Sequence, residues 1–461
     1  MKPQTKEILD GAKKLHFAGI GGISMSTIAL LALKKGFDVT GSDRSESDAV
    51  KKLMAAGIPV TIGHLPESVE GKDAVIYTAA LGMENPELAR AVELGIPLIS
   101  RGEFLGYLMC DYCTRIGVSG THGKTTTTSM ISHLMIHAGY DPTVANGAIL
   151  PQIGSAYRPG SADYFVYEAC EYKDSFLSFE PSIAVITNLE LDHTDYFDSI
   201  EAIIASFQKA IEPSHAVVAN MDSENVKKAL VGYDGWVIGI SLVDENADFY
   251  PRDLRYEYGK GVYTLCRKGI PLCEITLPVI GEFNVYNSLC AAAVAITCGV
   301  EPADLAAAFP SFTGAARRFE QKGIVAVADG QIAVYDDYAH HPDEIKATLE
   351  AATRLGYNRV ICIFQPHTYS RTHDLLPQFK EAFDAADEVI FADIYAARET
   401  DTKGVSSALL AKETGRLYLP SFEAIATYLA ENAKAGDLIL TMGAGDVYKI
   451  AGMVLEKLGA F

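Results

Sequence analysis

The sequence lacks an uninterrupted apolar run of the roughly 18 residues that a helix needs to cross a bilayer. Its opening stretch, Met1 to Asp10, is polar and lacks the apolar core of a signal peptide. We therefore expect a cytoplasmic protein without a membrane partner.

Positive charge is also scarce. The chain has 39 lysine and arginine residues against 59 aspartate and glutamate residues, which gives a formal net charge of −20. This balance lacks the basic footprint of nucleic-acid-binding proteins, so we expect no nucleic-acid partner. Anionic substrates remain compatible with it, because backbone N–H groups and bound cations dominate the potential inside a small pocket.

Cysteines at zinc-binding spacing are few. Cys110 and Cys113 form a C-x-x-C pair, but no second pair lies at the spacing of a zinc site. We interpret them as two reduced thiols at the end of a helix. A disulfide between Cys266 and Cys273, which flank a predicted hairpin, would be unusual in a cytoplasmic enzyme.

Long linkers, low-complexity tracts and repeats of 20–50 residues are absent too, so short hinges should join the domains. At 461 residues the chain is too long for one core, and roughly three domains of about 150 residues are expected. Short apolar runs alternate with helical patterns, which is typical of doubly wound α/β folds. The strand candidates are residues 15–20, 39–42, 74–78, 98–100, 116–119, 164–169, 183–187, 216–219, 332–336, 360–364, 388–392 and 438–441, with a hairpin at 262–266 and 274–277.

These patterns predict three α/β domains. Residues 1–109 should form a Rossmann-like domain, and residues 110–314 a central domain of the P-loop ATPase type with a mostly parallel sheet. Residues 315–461 should form a second Rossmann-like domain.

A glycine-containing loop between a predicted strand and a predicted helix is the strongest local signal. Its residues are Gly120, Thr121, His122, Gly123, Lys124, Thr125 and Thr126. Small residues let the backbone curl around phosphates, and the new helix offers N–H groups and a positive dipole end. Lys124 can reach the terminal phosphates, and the Thr125 hydroxyl can bind Mg²⁺. Val118 stands where the full phosphate-loop pattern has glycine, so the loop is shortened; a glycine turn without a ligand is the alternative.

A second glycine loop follows the first predicted strand. Gly19-Ile20-Gly21-Gly22-Ile23-Ser24 resembles G-x-G-x-x-G with serine in the last position, and Asp43 ends the next strand, where Rossmann proteins contact ribose. Alone, the loop would suggest a nicotinamide-dependent dehydrogenase or a purely structural turn. Together with the phosphate loop it suggests two nucleotides, ATP on one domain and a nucleotide-linked substrate on another.

Acidic and histidine side chains follow two further strands of the central domain. Glu168 and His193 should both face the crevice of the phosphate loop, because the carboxyl ends of parallel strands meet at one edge. A carboxylate there can hold the Mg²⁺ that bridges ATP phosphates. Glu171, Asp192 and Asp195 are expected to be solvated or to support the ligands.

These motifs together resemble the Mur ligases over nearly the whole chain. The resemblance rests on residues 16–22, 120–126, 168–171, 187–188 with 192–193, 314–320, 337–342 and 364–372. The last two motifs are typical of the alanine-adding branch. The resemblance therefore implies ATP-dependent ligation of L-alanine to the lactyl carboxylate of UDP-N-acetylmuramate, through an acyl phosphate, in peptidoglycan precursor synthesis.

The resemblance also implies roles for individual residues. Lys124 and Thr125 would serve ATP and Mg²⁺, and Glu168 and His193 would bind the metal. The other assignments are Asn284 and Asn287 near the adenine, Arg317 or Arg318 with Asp337 closing onto ATP, Tyr338, His340, His367 and Arg371 around the amino acid, and Gly19, Gly21, Gly22, Ser42, Asp43 and His64 around the UDP part. His367 is the candidate general base for the alanine ammonium.

Two positions depart from the family pattern. Phe283 stands where the family usually has histidine near the adenine, and its ring can still stack on a base. Thr368 stands where the family often has arginine, which leaves Arg371 as the cation for the alanine carboxylate.

Three alternatives stay open at this point. The chain could be a related ligase with a different acceptor, for peptide recycling or polyglutamate addition. It could also be an NAD-dependent dehydrogenase or a nucleotide-sensing regulator. The sequence leaves the oligomeric state open between monomer and homodimer.

Overall fold

The structure is a computed structural model that describes residues 3–78, 80–192, 196–257, 259–397, 399–401 and 403–459. Its contacts divide the chain into two compact units. The first unit comprises Met1–Asp253, Tyr263–Ile275 and Phe283–Phe312, and the second comprises Leu254–Val262, Thr276–Glu282 and Thr313–Phe461. Three sheets run through the chain, each flanked by helices, which confirms the α/β class.

The N-terminal sheet has five parallel strands in the order β3-β2-β1-β4-β5. Its elements are α1 (Pro3–Gly11), β1 (Lys14–Ala18), α2 (Ile23–Lys35), β2 (Asp38–Asp43), α3 (Asp48–Ala55), β3 (Val60–Ile62), β4 (Ala74–Tyr77), α4 (Pro86–Leu94), β5 (Leu98–Ser100) and α5 (Arg101–Met109). The chain leaves β1 on one side and returns on its other side as β4. This reversal creates a crevice at the carboxyl end of β1, where the first glycine loop lies.

The central sheet has ten strands in the order β15-β14-β13-β12-β11-β10-β6-β9-β7-β8. Its elements are β6 (Thr114–Ser119), α6 (Lys124–His137), β7 (Thr143–Leu150), β8 (Ser155–Arg158), β9 (Tyr164–Glu168), β10 (Ile183–Ile186), α7 (Ile200–Ile211), β11 (Ala216–Asn220), α8 (Glu224–Ala229), β12 (Trp236–Ile240), β13 (Phe249–Glu257), β14 (Lys260–Arg267), β15 (Ile270–Ile280), α9 (Glu282–Thr297) and α10 (Pro302–Ala308). The middle strands β6, β9, β10 and β11 run parallel, so their carboxyl ends share one edge.

One apolar cluster joins the N-terminal and central sheets within the first unit. Phe17 of β1 and Phe104 of α5 meet edge to face, with their ring centroids 5.5 Å apart. The same cluster includes Phe165 of β9, whose ring stacks on Tyr112 at 4.9 Å. Because this core is continuous, the two glycine loops belong to one packed body.

The C-terminal sheet has six strands in the order β16-β17-β21-β18-β19-β20. Its elements are β16 (Glu320–Val327), β17 (Gly330–Asp337), α11 (Pro342–Thr353), β18 (Arg359–Phe364), α12 (Tyr369–Asp374), α13 (Leu376–Glu381), β19 (Glu388–Phe391), α14 (Ser407–Thr414), β20 (Leu417–Tyr418), α15 (Phe422–Asn432), β21 (Asp437–Met442) and α16 (Tyr448–Lys457). Only its first pair, β16 with β17, is antiparallel among the described pairs. Two apolar clusters cover its opposite faces, which explains why β18 and β21 are almost continuously apolar.

Several smaller expectations are also decided. Cys110 directly follows α5, and all eight cysteines are free in the structure. Strand β16 was not predicted; it is an edge strand, and only one of its eight residues is buried. Among the described residues no helix is long and apolar enough to cross a membrane.

Candidate functional site

The phosphate-type loop lies between the end of β6 at Ser119 and the start of α6 at Lys124. Gly123 is the residue before the helix; its φ is 83° and no side chain caps the helix start. The first N–H groups of an α-helix have no partners within the helix, so this end can accept an anion. A Cβ at Gly123 would collide with the amide oxygen of Asn287, which explains why glycine is needed there.

Lys124 folds back over its own loop. Its ammonium donates to the carbonyl oxygens of Gly120 at 2.6 Å and Thr121 at 2.9 Å, and to Oε1 of Glu171 at 2.9 Å. Burial by itself disfavours the charged ammonium, but the carboxylates of Glu171 and Glu168 outweigh it, so the pKa of Lys124 is raised. The ammonium group is therefore held at the N-terminus of α6.

The sequence left open whether Glu171 is solvated or supports the ligands, and the structure favours the supporting role. Its side chain is 4% exposed, so it is not solvated. It follows β9 by three residues, which brings it to the same sheet edge as the loop. Its pairing with Lys124 was missed, although a second acidic residue so close to Glu168 at a strand end could have indicated it.

Thr125 and Glu168 lie side by side. The Thr125 hydroxyl donates to Oε2 of Glu168 at 2.8 Å, and the N–H of Gly147 donates to the same oxygen at 3.0 Å. A hydroxyl and a carboxylate are oxygen ligands of the kind that Mg²⁺ binds, together with water and phosphate. The donor chemistry therefore fits this ion. The third predicted ligand, His193, lies outside the described residues, and those residues contain no group of three or more histidine, cysteine or acidic side chains that could hold a metal.

The residues expected near the adenine lie beneath the loop. Asn284 and Asn287 are both buried, and the amide of Asn287 donates to Oδ1 of Asn284 at 3.0 Å. Thr127 of α6 donates to Oδ1 of Asn287 at 3.1 Å. The Phe283 side chain is exposed. In this arrangement the two asparagines support the helix start, and Phe283 is the surface that a base could stack on.

Asn188 holds the shape of the loop from the neighbouring strand. Its side chain accepts from the N–H of His122 at 2.8 Å and donates to the carbonyl of His122 at 2.9 Å. Asn188 follows β10, which pairs with β6 in parallel. The residue was part of the family motif, but its contact with the loop became visible only in the fold.

The second glycine loop follows β1. The N–H groups of Gly19 and Ile20 donate to the carbonyl of Ser42 at 2.9 Å, and the N–H of Gly21 donates to Oδ2 of Asp43 at 2.8 Å. Asp43 thus lies against the loop at the end of β2, as Rossmann geometry predicts. Gly22 precedes α2 with an extended backbone and no side-chain cap on that helix.

A buried carboxylate that the sequence did not reveal lies at the same edge. Glu87, in the first turn of α4, accepts from the Ser42 hydroxyl at 2.6 Å and from Nδ1 of His64 at 2.9 Å. Nε2 of His16 lies 3.4 Å from its other oxygen. Burial by itself raises the pKa of Glu87, but these partners outweigh it and lower that pKa below its ordinary value.

In the second unit, Arg317 is fully engaged by its own domain. Its guanidinium donates to Asp336 at 3.0 Å, to the carbonyl of Gly445 at 2.9 Å and to that of Gly443. It also lies over the ring of Tyr338 at 5.1 Å. These contacts anchor the turn at residues 443–446, directly before α16. Arg318 lies over the same Tyr338 ring at 5.1 Å.

Asp337 ends β17 and organises the backbone around it. Its two oxygens accept from the N–H groups of Phe319 and Ala339, both at 2.7 Å. Burial raises the pKa of Asp337 to about 6, although Arg318 and these hydrogen bonds oppose that shift.

The residues predicted for the amino-acid pocket form a row. Tyr338 and His340 have ring centroids 5.5 Å apart, and His340 and His367 are 6.1 Å apart. His367 stacks on Tyr395 at 5.7 Å. Burial lowers the pKa of His367 to about 4, helped by His340 and Arg371. Its buried Nδ1 has no hydrogen-bond partner among the described residues.

The turn that leads to Arg371 is strained. Thr368 has a φ of 65°, which is unusual for a residue with a β-branched side chain, and α12 begins directly after it. Glu399 accepts from the N–H of Ser370 at 2.8 Å and from its hydroxyl. These contacts orient α12, which carries Arg371, and Glu399 was not anticipated from the sequence.

Comparison with known proteins extends these observations. The chain matches the descriptions "Mur ligase family, catalytic domain" at residues 14–113, "Mur ligase middle domain" at 118–295 and "Mur ligase, glutamate ligase domain" at 317–445. It is 47% identical to the UDP-N-acetylmuramate–L-alanine ligase of Acetivibrio thermocellus, over 96% of each chain. The corresponding protein of Caldanaerobacter subterraneus is 45% identical, over 97% of this chain and 98% of that one.

A solved structure shares the fold as well. The UDP-N-acetylmuramate–alanine ligase of Thermotoga maritima superimposes with a TM-score of 0.81 at 27% identity, covering 97% of this chain and 99% of that one. The resemblance seen in the motifs and the three-part α/β architecture are thus both confirmed. From its N-terminal sheet to its C-terminal sheet, the chain belongs to the Mur ligase family.

Proposed function

We propose that this chain joins L-alanine to the lactyl carboxylate of UDP-N-acetylmuramate at the expense of ATP, in peptidoglycan precursor synthesis. The geometry that carries the proposal is the phosphate-type loop, where Lys124 lies at the helix start and Thr125 contacts Glu168 at 2.8 Å. The full-length relatives named for this reaction support the choice of substrates.

We assign one substrate to each predicted domain. The UDP part belongs to residues 1–109, around Gly19, Gly21, Gly22, Asp43 and His64. ATP belongs to residues 110–314, and the amino acid to residues 315–461, around Tyr338, His340, His367 and Arg371. A cytoplasmic location agrees with this assignment, because the proposed substrates are soluble nucleotides and a free amino acid.

The reaction must activate a carboxylate that repels nucleophiles and has no leaving group at neutral pH. The lactyl carboxylate attacks the γ-phosphorus of ATP, which gives an acyl phosphate and ADP. The amine of alanine then attacks the acyl carbon, and the tetrahedral intermediate loses a proton from nitrogen and expels inorganic phosphate as the amide forms. Lys124 is placed to neutralise charge on the transferring phosphoryl group, which is the main contribution a protein makes to phosphoryl transfer.

Thr125 and Glu168 would hold Mg²⁺, with His193 as a further ligand, and the ion would neutralise phosphate charge during transfer. The Thr125 hydroxyl oxygen and the Glu168 carboxylate are already adjacent. Their site therefore needs no large rearrangement of these two side chains.

His367 and Arg371 would receive the amino acid. The planar fork of Arg371 suits the alanine carboxylate. Because the pKa of His367 is about 4, its imidazole is neutral at physiological pH and can accept a hydrogen bond or a proton from the amine. A group with so low a pKa is a weak base, so we infer that it orients the amine more than it deprotonates it.

A phosphate-release assay tests the proposal. Purified protein with ATP and Mg²⁺ should release phosphate only when both UDP-N-acetylmuramate and L-alanine are present. Glycine and L-serine, which differ from alanine by little volume, should be compared at equal concentration. A peptide or glutamate acceptor that works where L-alanine fails would overturn the proposal in favour of a related ligase.

A further inference from the structure

The buried carboxylate of Glu87 has no role in the reaction described so far. It is fully buried in the N-terminal domain, in the first turn of α4. A buried charge is costly unless it is paired and hydrogen-bonded. Its retention directly beneath the crevice of the first glycine loop therefore calls for a physical reason.

The partners of Glu87 come from three neighbouring strands. Ser42 lies in β2, His16 lies in β1, and His64 follows β3 after a glycine whose φ is 99°. Oε2 of Glu87 accepts from Ser42 at 2.6 Å and from Nδ1 of His64 at 2.9 Å. Glu87, whose helix α4 follows β4, thus gathers side chains from the β1, β2 and β3 side of the point where the strand order reverses.

Only one member of this group can meet a ligand. The side chains of Glu87, Ser42 and His16 are at most 1% exposed, whereas that of His64 is 18% exposed. The Ser42 hydroxyl donates its hydrogen to Glu87 and so cannot donate it to a phosphate. The family resemblance placed Ser42 and His64, among other residues, around the UDP part, and of these two side chains only that of His64 is exposed.

The hydrogen bond to Glu87 determines which ring nitrogen of His64 can contact the ligand. A carboxylate that accepts from Nδ1 keeps the hydrogen on that nitrogen and orients the ring, which leaves Nε2 for another partner. Glu87 fulfils this condition for His64. The first turn of α4 also favours a negative side chain, because the helix dipole is positive there.

We propose that Glu87 is a positioning residue for the nucleotide sugar, fixing the tautomer and direction of His64 so that Nε2 contacts the UDP part. This inference rests on the proposed function for the identity of the ligand. Glu87 itself touches no substrate and acts through His64.

A double-mutant cycle tests this role. Glu87→Gln and His64→Asn should each raise the KM for UDP-N-acetylmuramate by roughly tenfold or more, since each loses a hydrogen bond that involves a charged group. The KM of the double variant should not exceed the higher of the two single-variant values, because both changes disable the same contact. The KM for ATP and the kcat at saturating nucleotide sugar should stay within about twofold of wild type.

Glu93→Gln is the matched control. Glu93 lies on the same helix, and its side chain is 66% exposed and paired with Arg90. This variant should leave every kinetic constant unchanged. Additive losses in the cycle, or equal increases in KM for all three substrates, would show that Glu87 only supports the fold and would overturn the proposal.

Nitrogen NMR of the His64 ring gives an independent signature. Wild type should show a protonated Nδ1 throughout, whereas Glu87→Gln should show a mixture of tautomers; an unchanged spectrum would refute the role. Should Glu87→Gln fail to fold, Glu87→Asp, which keeps the charge but shortens the side chain, undergoes the same measurements.

Calorimetric titration with UDP alone separates this inference from the proposed function. If wild type binds UDP but shows no alanine-dependent phosphate release, the proposed function fails while the cycle can still be completed on the Kd for UDP. If UDP binds equally to wild type and Glu87→Gln, the role of Glu87 is refuted whatever the reaction.

Discussion

Replacing Lys124 by methionine should destabilise the first unit as well as abolish turnover. Lys124 and Glu171 are 2.9 Å apart, and their side chains are 13% and 4% exposed. Removing one partner of a buried pair leaves an uncompensated charge and costs roughly 3–5 kcal/mol. The carbonyls of Gly120 and Thr121 also lose their donor.

The expected size of the effect follows from the thermal behaviour of domains. The first unit has roughly 300 residues, for which each kcal/mol shifts the Tm by somewhat less than 2 °C, so the loss should be on the order of 5–8 °C. Calorimetry of wild type and variant in parallel measures this loss of Tm. The transition of the first unit is compared directly, because a multidomain chain need not unfold in two states.

Two controls separate charge from catalysis. Lys124→Met combined with Glu171→Gln removes the orphaned carboxylate and should recover most of the Tm without recovering phosphate release. Lys227→Met breaks a pair with Glu224 of similar length, 2.7 Å, whose side chains are 43% and 77% exposed. It should change the Tm by no more than about 2 °C, because exposed pairs contribute little. A Lys124→Met protein that melts with wild type would refute the reasoning.

The same pair predicts a pH dependence. The pKa of Lys124 is raised in the folded state, so its contribution to stability is fully present below its ordinary value of 10.5. The contribution is lost as the pH rises through the folded pKa. The Tm difference between wild type and Lys124→Met should therefore be constant near neutrality and narrow above about pH 10.5; a difference that widens there would contradict the assignment.

Two further predictions concern the loop and the amino-acid pocket. Gly123→Ala should lose phosphate release and have a Tm well below that of Gly139→Ala. Both glycines have a φ of 83°, but only at Gly123 would the Cβ meet Asn287. Gly139→Ala should therefore lower the free energy of unfolding only by the roughly 1–2 kcal/mol of left-handed strain. By proton NMR, His367 should titrate near 4 rather than near 6.5, so the folded state should lose stability as the pH falls from 6.5 towards 4. Arg371→Met should raise the pKa of His367, because it removes a neighbouring cation. A His367 signal that titrates near 6.5 in wild type would contradict the burial argument.

Local patterns were sufficient for much of the fold. Buried parallel strands such as β10 and β18 are continuous apolar runs, and helices follow them with their own period, so the α/β class was readable. Edge strand β16 was not predicted, because only one of its eight residues is buried and its pairing depends on β17. Pairing partners leave no signature in the strand itself.

The candidate site, too, was predictable from the sequence only in part. The glycine loop at residues 120–126 was evident because its chemistry is contiguous in the sequence. The engagement of Arg317 by Asp336 and by carbonyls more than a hundred residues later was not, and a choice between Arg317 and Arg318 needed the folded turn.

The sequence by itself determined the α/β architecture, the family and the positions of both glycine loops, because backbone preferences and phosphate-binding motifs are local properties. Only the tertiary structure decided which charges are buried together. Glu171 meets Lys124 across 47 residues and Glu87 meets Ser42 across 45. Burial and pairing arise only when distant strands share one edge, and they determine whether an acidic residue is solvated or holds a functional side chain in place.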